Sequence, residues 1–213
     1  MQENVNQRTL QAMRTKKKIF NTSVTLINER GFEHVTVDDI CRECGVSKGA
    51  FYHHFNSKLD IISQIETMLN SSITDALVEC DDVNIRTRIL VFVNSLLSVV
   101  DKTGLEFTRQ RTKYVVGGEY IKETEADTFS VFSRAKLKDI LCSAVDRGEM
   151  IKETPVDILT EIIMTLISGL IADWCIFDGA YSLTEKGWKI TEFTITKIVD
   201  VFIVDKKVNL HIE

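Results

Sequence analysis

Lys48, Tyr52, His53 and His54 put four hydrogen-bond donors into seven residues, and Lys58 follows four positions later. Ammonium, phenol and imidazole groups at that density suit the oxygens of a nucleic-acid backbone and the edges of bases. Gly49 and Ala50 lie among them and are small, so a helix carrying this run can come close to a groove. Ala50 can touch a thymine methyl, and Lys48 can reach a guanine edge or a phosphate. Tyr52 and His53 suit phosphates, through a hydroxyl and a ring N–H. A second grouping, Cys41 and Cys44, has the spacing of zinc ligands, with His53 and His54 nearby. No second cysteine pair or spaced histidine pair follows, so both cysteines read as small residues on the inner face of a short helix, with no metal and no cofactor. The chain has no phosphate loop, no dinucleotide glycine motif and no nucleophile beside a base, which argues against an enzyme.

The residues around the donor run supply the elements to position it. Thr36 can cap a helix, with Asp39 as the acidic partner of a capping box. Ile40, Cys41 and Cys44 fall on the inner face of that helix. Gly45 stands where a helix takes a left-handed terminator. Ser47 caps the next helix after a turn of about three residues. Ser57 caps another, with Asp60 at its third position, and Lys58 can add a phosphate contact at that helix start. Two short helices joined by a glycine turn, the second carrying the donors, form a helix-turn-helix that lays its second helix in the DNA major groove. The reading helix is Ser47 to His54, with Phe51 and Phe55 turned to the core.

From Ile19 to about Ile61 the chain resembles the DNA-binding domain of the TetR family of bacterial transcriptional regulators. The resemblance rests on Ile19-Phe20, Leu26-Ile27, Gly31-Phe32, Thr36-Val37, Asp39-Ile40, Gly45-Val46-Ser47, Phe51-Tyr52, His54-Phe55 and Ser57-Lys58. Cys41 and Cys44 depart from it, standing where the family usually has alanines. The resemblance implies that Thr36, Lys48, Gly49, Tyr52, His53, His54 and Lys58 face DNA; Ser47 and Ala50 join the expected DNA-binding set from their own places on the reading helix. It also implies dimerisation through the last two helices.

The 213 residues are 44% hydrophobic and 27% charged, with a single proline, which suits a mostly helical protein. The net charge of −5 has the wrong sign for a DNA binder until it is divided: residues 1–60 hold 9 Lys/Arg against 7 Asp/Glu, a balance of +2, leaving −7 for the rest. A basic end for phosphates and an acidic body is the right polarity. The five cysteines are odd in number and scattered, and no signal peptide precedes them, so reduced thiols and a cytoplasmic location are expected. Lys16, Lys17 and Lys18 could approach the backbone, although a charge run usually marks a solvated face.

The expected architecture is all-α: a three-helix DNA-binding domain over 1–56 and a helical ligand-binding and dimerisation domain over 57–213. Residues 1–8 read as a frayed arm, and a first helix as Thr9 to Arg30. A fourth helix runs from Lys58 to about Glu79, with breaks at Cys80-Asp81-Asp82. Helices follow over about 83–101, 104–116, 123–147 and 155–178, with a loop at Gly117-Gly118. The last stretch, Thr184 to Val204, is rich in β-branched residues and fits both strand and helix periods; the resemblance favours helix. The segment from Ile158 to Phe177 is long enough to span a bilayer but carries Glu161 and Asp173, and reads as a buried helix, not a membrane span.

That helix is apolar nearly all round, so it needs burial on two sides, one of them a partner. The expected homodimer face comprises Leu159, Ile162, Ile163, Leu166, Gly169, Leu170, Phe193, Ile198 and Val201. The central helices are expected to enclose a pocket lined from Phe92, Phe107, Arg111, Tyr114, Phe129, Phe132 and Trp174, suited to a small, mainly apolar effector with one or two polar handles. Such an effector would displace the fourth helix near Met68 to Leu77 and change the spacing of two reading helices. The alternative is a DNA-binding protein of the same fold controlled by a protein partner or by occupancy alone.

Overall fold

The computed structural model describes residues 2–62, 83–116 and 129–204. Its helices are α1 (Gln2–Arg30), α2 (Val37–Cys44), α3 (Lys48–His54), α4 (starting at residues 58–62), α5 (Ile85–Thr103), α6 (Leu105–Val116), α7 (Phe129–Asp146), α8 (Val156–Ile176) and α9 (Leu183–Val199). Short 3-10 turns lie at Phe32–His34 and Asp200–Phe202, and an isolated antiparallel bridge joins Met150 to Ile203. Most of the stripe expected for the fourth helix, Ile65, Met68, Leu69, Ile73 and Leu77, lies outside the described residues, as do Cys80 to Asp82 and Gly117-Gly118.

The chain folds into two compact units. The first comprises residues 1–66 and 103–123. Here α1 packs against α2, α3, α6 and the 3-10 turn. The interior faces of its helices meet at Ile19, Leu26, Ile27, Ile40, Phe51, Phe55, Ile61 and Ile62, all buried. One expectation changes: residues 2–8 continue α1 as helix and are not an arm. Nothing in Gln-Glu-Asn-Val-Asn-Gln-Arg stops a helix, since it has neither proline nor glycine.

A side chain with no local signature holds α6 on α1. The Asn28 amide donates to the carbonyls of Val24 (2.9 Å) and Thr103 (2.7 Å), and its oxygen accepts from the Phe107 N–H (3.2 Å). Gly104 sits over this amide with φ +91, and a Cβ there would lie 2.5 Å from the Asn28 side chain. Glycine is required twice over, for the left-handed backbone and for the close approach. Phe107 is fully buried with its ring edge toward Phe20, centroids 6.5 Å apart. Phe107, expected to line a ligand pocket, thus packs in the core of the first unit.

The second unit comprises residues 67–102 and 124–213. The expected α5 stripe of Ile85, Ile89, Phe92, Val93, Leu96 and Val100 is buried throughout. α7 packs on α8, and α8 on α9. Arg88, on α5, is buried and pairs with both carboxylate oxygens of Glu149 (2.7 and 2.6 Å). Glu149 in turn accepts the Val204 N–H at its backbone carbonyl (2.9 Å), which holds the end of the described chain against the α7–α8 connection. Trp174 donates its indole N–H to the Tyr181 carbonyl (2.9 Å), while the Tyr181 hydroxyl donates to Asp173 (2.6 Å). Burial and the Asp173 carboxylate push Tyr181 up to about 12, so the phenol stays protonated and the α8–α9 turn stays clasped. Residues 183–199 are helical, not extended; side chains on both faces of α9 differ in burial in a helical rhythm, with Leu183, Gly187, Thr191, Ile195 and Val199 inward.

The two-sided apolar character of α8 resolves into two faces. Leu159, Ile163, Ile167 and Leu170 point into the unit's own core. Ile158, Ile162, Thr165, Gly169, Ala172 and Ile176 are all exposed, at alternating spacings of four and three. Ile176 is 74% exposed, and Phe193 on α9 is 71% exposed. Of the residues expected at a dimer interface, Ile162, Gly169, Phe193 and Val201 are exposed, and Leu166 and Ile198 are half-buried. Leu159, Ile163 and Leu170, also expected there, are buried within this chain. An all-round apolar helix gives no phase, so its sequence pattern alone does not separate the buried side from the exposed one.

Candidate nucleic-acid interface

The interface begins with the start of α2. Thr36 accepts the Asp39 N–H at its hydroxyl (3.1 Å), and Asp39 accepts the Thr36 N–H (3.0 Å), completing the capping box. The hydrogen bonds from the Thr36 hydroxyl and backbone hold the Asp39 carboxyl below the usual range, with Arg42 adding to the effect. Gly45 ends the helix at φ 65, ψ 37, and the Val46 N–H reaches back to the Cys41 carbonyl (3.0 Å). Ile40, Cys41 and Cys44 are buried beneath α2 as expected. Burial raises the Cys41 thiol, which keeps it in its neutral form.

Ser47 then caps α3, accepting the Ala50 N–H at 3.1 Å. α3 is only seven residues long, and two aromatic anchors set its rotation. Phe51 and Phe55 are buried, with ring centroids 5.6 Å apart. Fixing positions 51 and 55 inward turns positions 48, 49, 52 and 53 outward. Ser47, Lys48, Gly49, Tyr52 and His53 are exposed accordingly, and Ala50 and His54 are half-buried at the edge of the row. Tyr52 is 54% exposed, its ring standing edge-on to Phe51 at 5.3 Å, so the packed ring aims a free hydroxyl outward.

The charged members differ in what they touch. Lys48 is the single lysine or arginine of α3. Its ammonium pairs with Asp38 of α2 at 2.7 Å, and that carboxylate's hydrogen bond and charge raise the lysine above its usual value. His53 and His54 lie ring to ring at 5.0 Å. Burial first, then the charges of His53 and Lys16, lower His54 below the usual histidine value. Lys16 sits 5.9 Å from the Phe55 ring centre, so α1 brings one lysine of its basic run to the end of α3; Lys17 and Lys18 are exposed.

Lys58 is placed differently from the others. Its ammonium donates to the carbonyls of Phe32 (2.5 Å) and Val35 (2.8 Å) and lies 3.9 Å from the centre of the Phe32 ring. Burial lowers its pKa, and Glu33 opposes that shift. Lys58 therefore ties the start of α4 to the turn before α2. The turn beneath it is held by Ser57, which accepts the Asp60 N–H (3.1 Å), and by Asp60, which accepts the Asn56 N–H (2.8 Å). The motif placed Lys58 in the set, but the two carbonyls that occupy it come from more than twenty residues away. Thr36, likewise, uses its hydroxyl as a cap while remaining exposed. The structure thus gathers Ser47, Lys48, Gly49, Tyr52 and His53 on one outward row, with Ala50 and His54 flanking it. Two contributors escaped sequence reasoning: Asp38, whose neighbour Asp39 carries the only capping signal, and Asn28, whose key partners lie 75 and 79 residues away.

The pocket residues are dispersed. Phe92 and Trp174 are buried in the second unit and Phe132 is half-buried. Arg111 is half-buried on α6, in the first unit. The side chains of Tyr114 and Phe129 lie outside the described residues.

A capped helix, a left-handed glycine turn and a short helix with an outward polar row define a helix-turn-helix protein, a DNA-binding transcriptional regulator. Residues 19–65 match the model of the bacterial regulatory proteins, tetR family. The chain is 25% identical over 205 residues to the HTH-type transcriptional repressor BepR of Brucella suis biovar 1 (strain 1330), covering 88% of this chain and 93% of that one. It is 23% identical to the HTH-type transcriptional regulator AcrR of Shigella flexneri, covering 83% and 85%. In fold it is similar to the TetR family transcriptional regulator PfmR from Thermus thermophilus, with a TM-score of 0.61 at 21% identity over 84% of this chain and 97% of that one. It is also similar to FadR from Bacillus subtilis, solved in complex with stearoyl-CoA, with a TM-score of 0.59 at 17% identity over 86% and 96%. Over residues 19–65 the chain is thus matched to the DNA-binding domain of the tetR family, and along most of its length it is similar to HTH-type regulators. That family is one of regulators and not of enzymes.

Proposed function

We propose that this protein is a cytoplasmic repressor that binds a near-palindromic operator as a homodimer and is released by a small, mainly apolar ligand. The observation that carries the reading is the outward row on α3. Phe51 and Phe55 lock that helix, and Lys48, Gly49, Tyr52 and His53 are left free of the core. Lys48 meets a base edge or phosphate, Ala50 a thymine methyl, and Tyr52, His53 and His54 the backbone. Thr36, Ser47 and Lys58 contribute by holding the helix starts that flank the row.

Residues 1–56 read DNA in this proposal, and residues 57–213 bind ligand and dimerise. One such reader binds weakly; two, related by a two-fold axis, engage half-sites about 34 Å apart. The exposed α8 stripe and Phe193 supply a self-complementary apolar face for that pairing. The ligand class rests on Phe92, Phe132 and Trp174 in the second unit, and the same fold in FadR of Bacillus subtilis holds stearoyl-CoA. Within the first unit, Phe107 and Asn28 couple α6 to α1, the helix that carries the reader. The expected lever in α4, Met68 to Leu77, lies outside the described residues. Coupling of about 3 kcal/mol would change DNA affinity roughly a hundredfold, and DNA would weaken ligand binding by the same factor.

The test is selection of bound duplexes from a random pool at fixed salt, with the Lys48→Ala/Tyr52→Ala double variant alongside. Enrichment of a palindrome by the wild type and not by the variant supports the reading. Failure of folded wild type to enrich any sequence overturns it.

A further inference from the structure

Asp38 stands beside the row to which DNA reading has just been assigned, and the role given to it below rests on that reading. Lys48 occupies the first turn of α3, where the helix dipole disfavours a cation. Its stem is long and its ammonium has three rotatable donors, so a free lysine there would take whichever phosphate is nearest. The ammonium is instead held at 2.7 Å by Asp38, across the turn on α2. Asp38 has no part in the capping box, which Asp39 and Thr36 complete between them. Both partners are more than half exposed, at 62% and 59%, so the pair adds little to folding. What it does alter is the electrostatics of the reading surface: an anion stands beside the only lysine or arginine of the reading helix.

We propose that Asp38 is a positioning and specificity-determining residue, which restrains Lys48 toward base edges and opposes its capture by phosphates. Holding one ammonium donor leaves two for acceptors in the groove, such as the O6 and N7 of guanine. The carboxylate also repels any phosphate that approaches without a matching base contact. Asp38 thus lowers non-specific affinity and raises discrimination, a repulsive element of the kind that selective binders need.

The experiment uses the full chain with Asp38→Asn, Asp38→Glu, Lys48→Ala and the Asp38→Asn/Lys48→Ala double variant. Fluorescence anisotropy is measured on the duplex enriched by wild type and on a scrambled duplex of equal length, between about 50 and 200 mM salt. For Asp38→Asn we expect scrambled-duplex affinity to rise several-fold. The salt slope on that duplex should steepen by about 0.9, the mark of one added phosphate contact. The ratio of enriched to scrambled affinity should fall by roughly tenfold. Asp38→Glu should restore the ratio, and in the double variant the effect of Asp38→Asn should vanish, because its target is gone. A merely structural role would weaken both duplexes together and leave the slope unchanged, which overturns the inference. So does an Asp38→Asn effect of equal size with and without Lys48. If wild type prefers no duplex, the DNA-reading role fails and this inference with it; if wild type selects a sequence and Asp38→Asn matches it, the inference fails alone.

Discussion

α3 and α8 pose the same question, which side of a helix faces out, and the two answer it by different physics. α3 has seven residues, with one buried aromatic, Phe51, inside it and a second, Phe55, at its C-cap one turn on. Burying Phe51 and Phe55 leaves a single orientation, and the polar row faces out by default. α8 has twenty-one residues and apolar side chains on nearly every azimuth. No single stripe distinguishes core from partner, and only its packing against α7 and α9 decides that Leu159 and Ile163 turn in while Ile158 and Ile162 turn out. Contrast between polar and apolar positions makes a face legible, and a uniformly apolar helix removes the contrast.

The comparison is broken most directly on α8. Ile162→Glu combined with Ile176→Glu places charge on the exposed stripe without touching the core. Sedimentation should then report monomer in place of dimer, and affinity for a two-half-site operator should fall by roughly a hundredfold or more as the second reader is lost. Leu159→Glu should instead unfold the second unit; a folded monomer from that variant would restore Leu159 to the interface.

In the first unit, Asn28→Ala removes a half-buried amide and leaves the Thr103 carbonyl and Phe107 N–H without their partner. A loss of about 1–3 kcal/mol in denaturant unfolding is expected, with weakened transmission from α6 to α1. A neutral result would mean that α6 is held by Phe107 alone. Thr36→Ala removes the α2 cap and should cost about 1 kcal/mol, while Thr36→Ser should be close to neutral. If Thr36→Ser instead lost DNA affinity with stability intact, the methyl group would matter at the interface.

The smallest effect concerns His54. Its folded-state pKa is lowered, so the folded protein resists protonation more than the unfolded chain does. Stability is therefore full above the unfolded value of about 6.5 and declines as pH falls from there to the depressed folded value, below which it levels off. A phosphate beside the ring acts in the opposite sense and favours the charged form. Operator affinity should then rise as pH drops from about 7.5 to about 6, with proton uptake on binding, and His54→Gln should flatten the profile. An affinity that ignores pH in wild type would remove His54 from the backbone contacts.

Much of the first unit could be read from the chain because its signals are short-range. Thr36 with Asp39, Ser47 with Ala50 and Ser57 with Asp60 each form the capping bond their spacing suggests, and the Gly45 terminator takes the left-handed backbone its position calls for. The buried stripe of α5 was equally legible, since Ile85 through Val100 alternates with polar residues at a helical period. Sequence alone misjudged the start of α1, where polar composition resembles an arm although nothing interrupts the helix. The packing of Phe107 on Phe20 was not legible, because an aromatic on an amphipathic helix looks the same whether it meets a ligand or another ring.

The sequence by itself determined the all-α class, the helix-turn-helix and the outward residues of α3, because these follow from caps, a glycine and a pair of aromatics acting over one or two turns. Tertiary structure alone decided the rest. It set Asn28 against Thr103 and Phe107, gave Lys58 to the carbonyls of Phe32 and Val35, paired Lys48 with Asp38, and chose which apolar side of α8 stays exposed. Each joins separate helices or turns, ten to nearly eighty residues apart where a pair is formed, and no periodicity within a single element records which neighbour that element will meet.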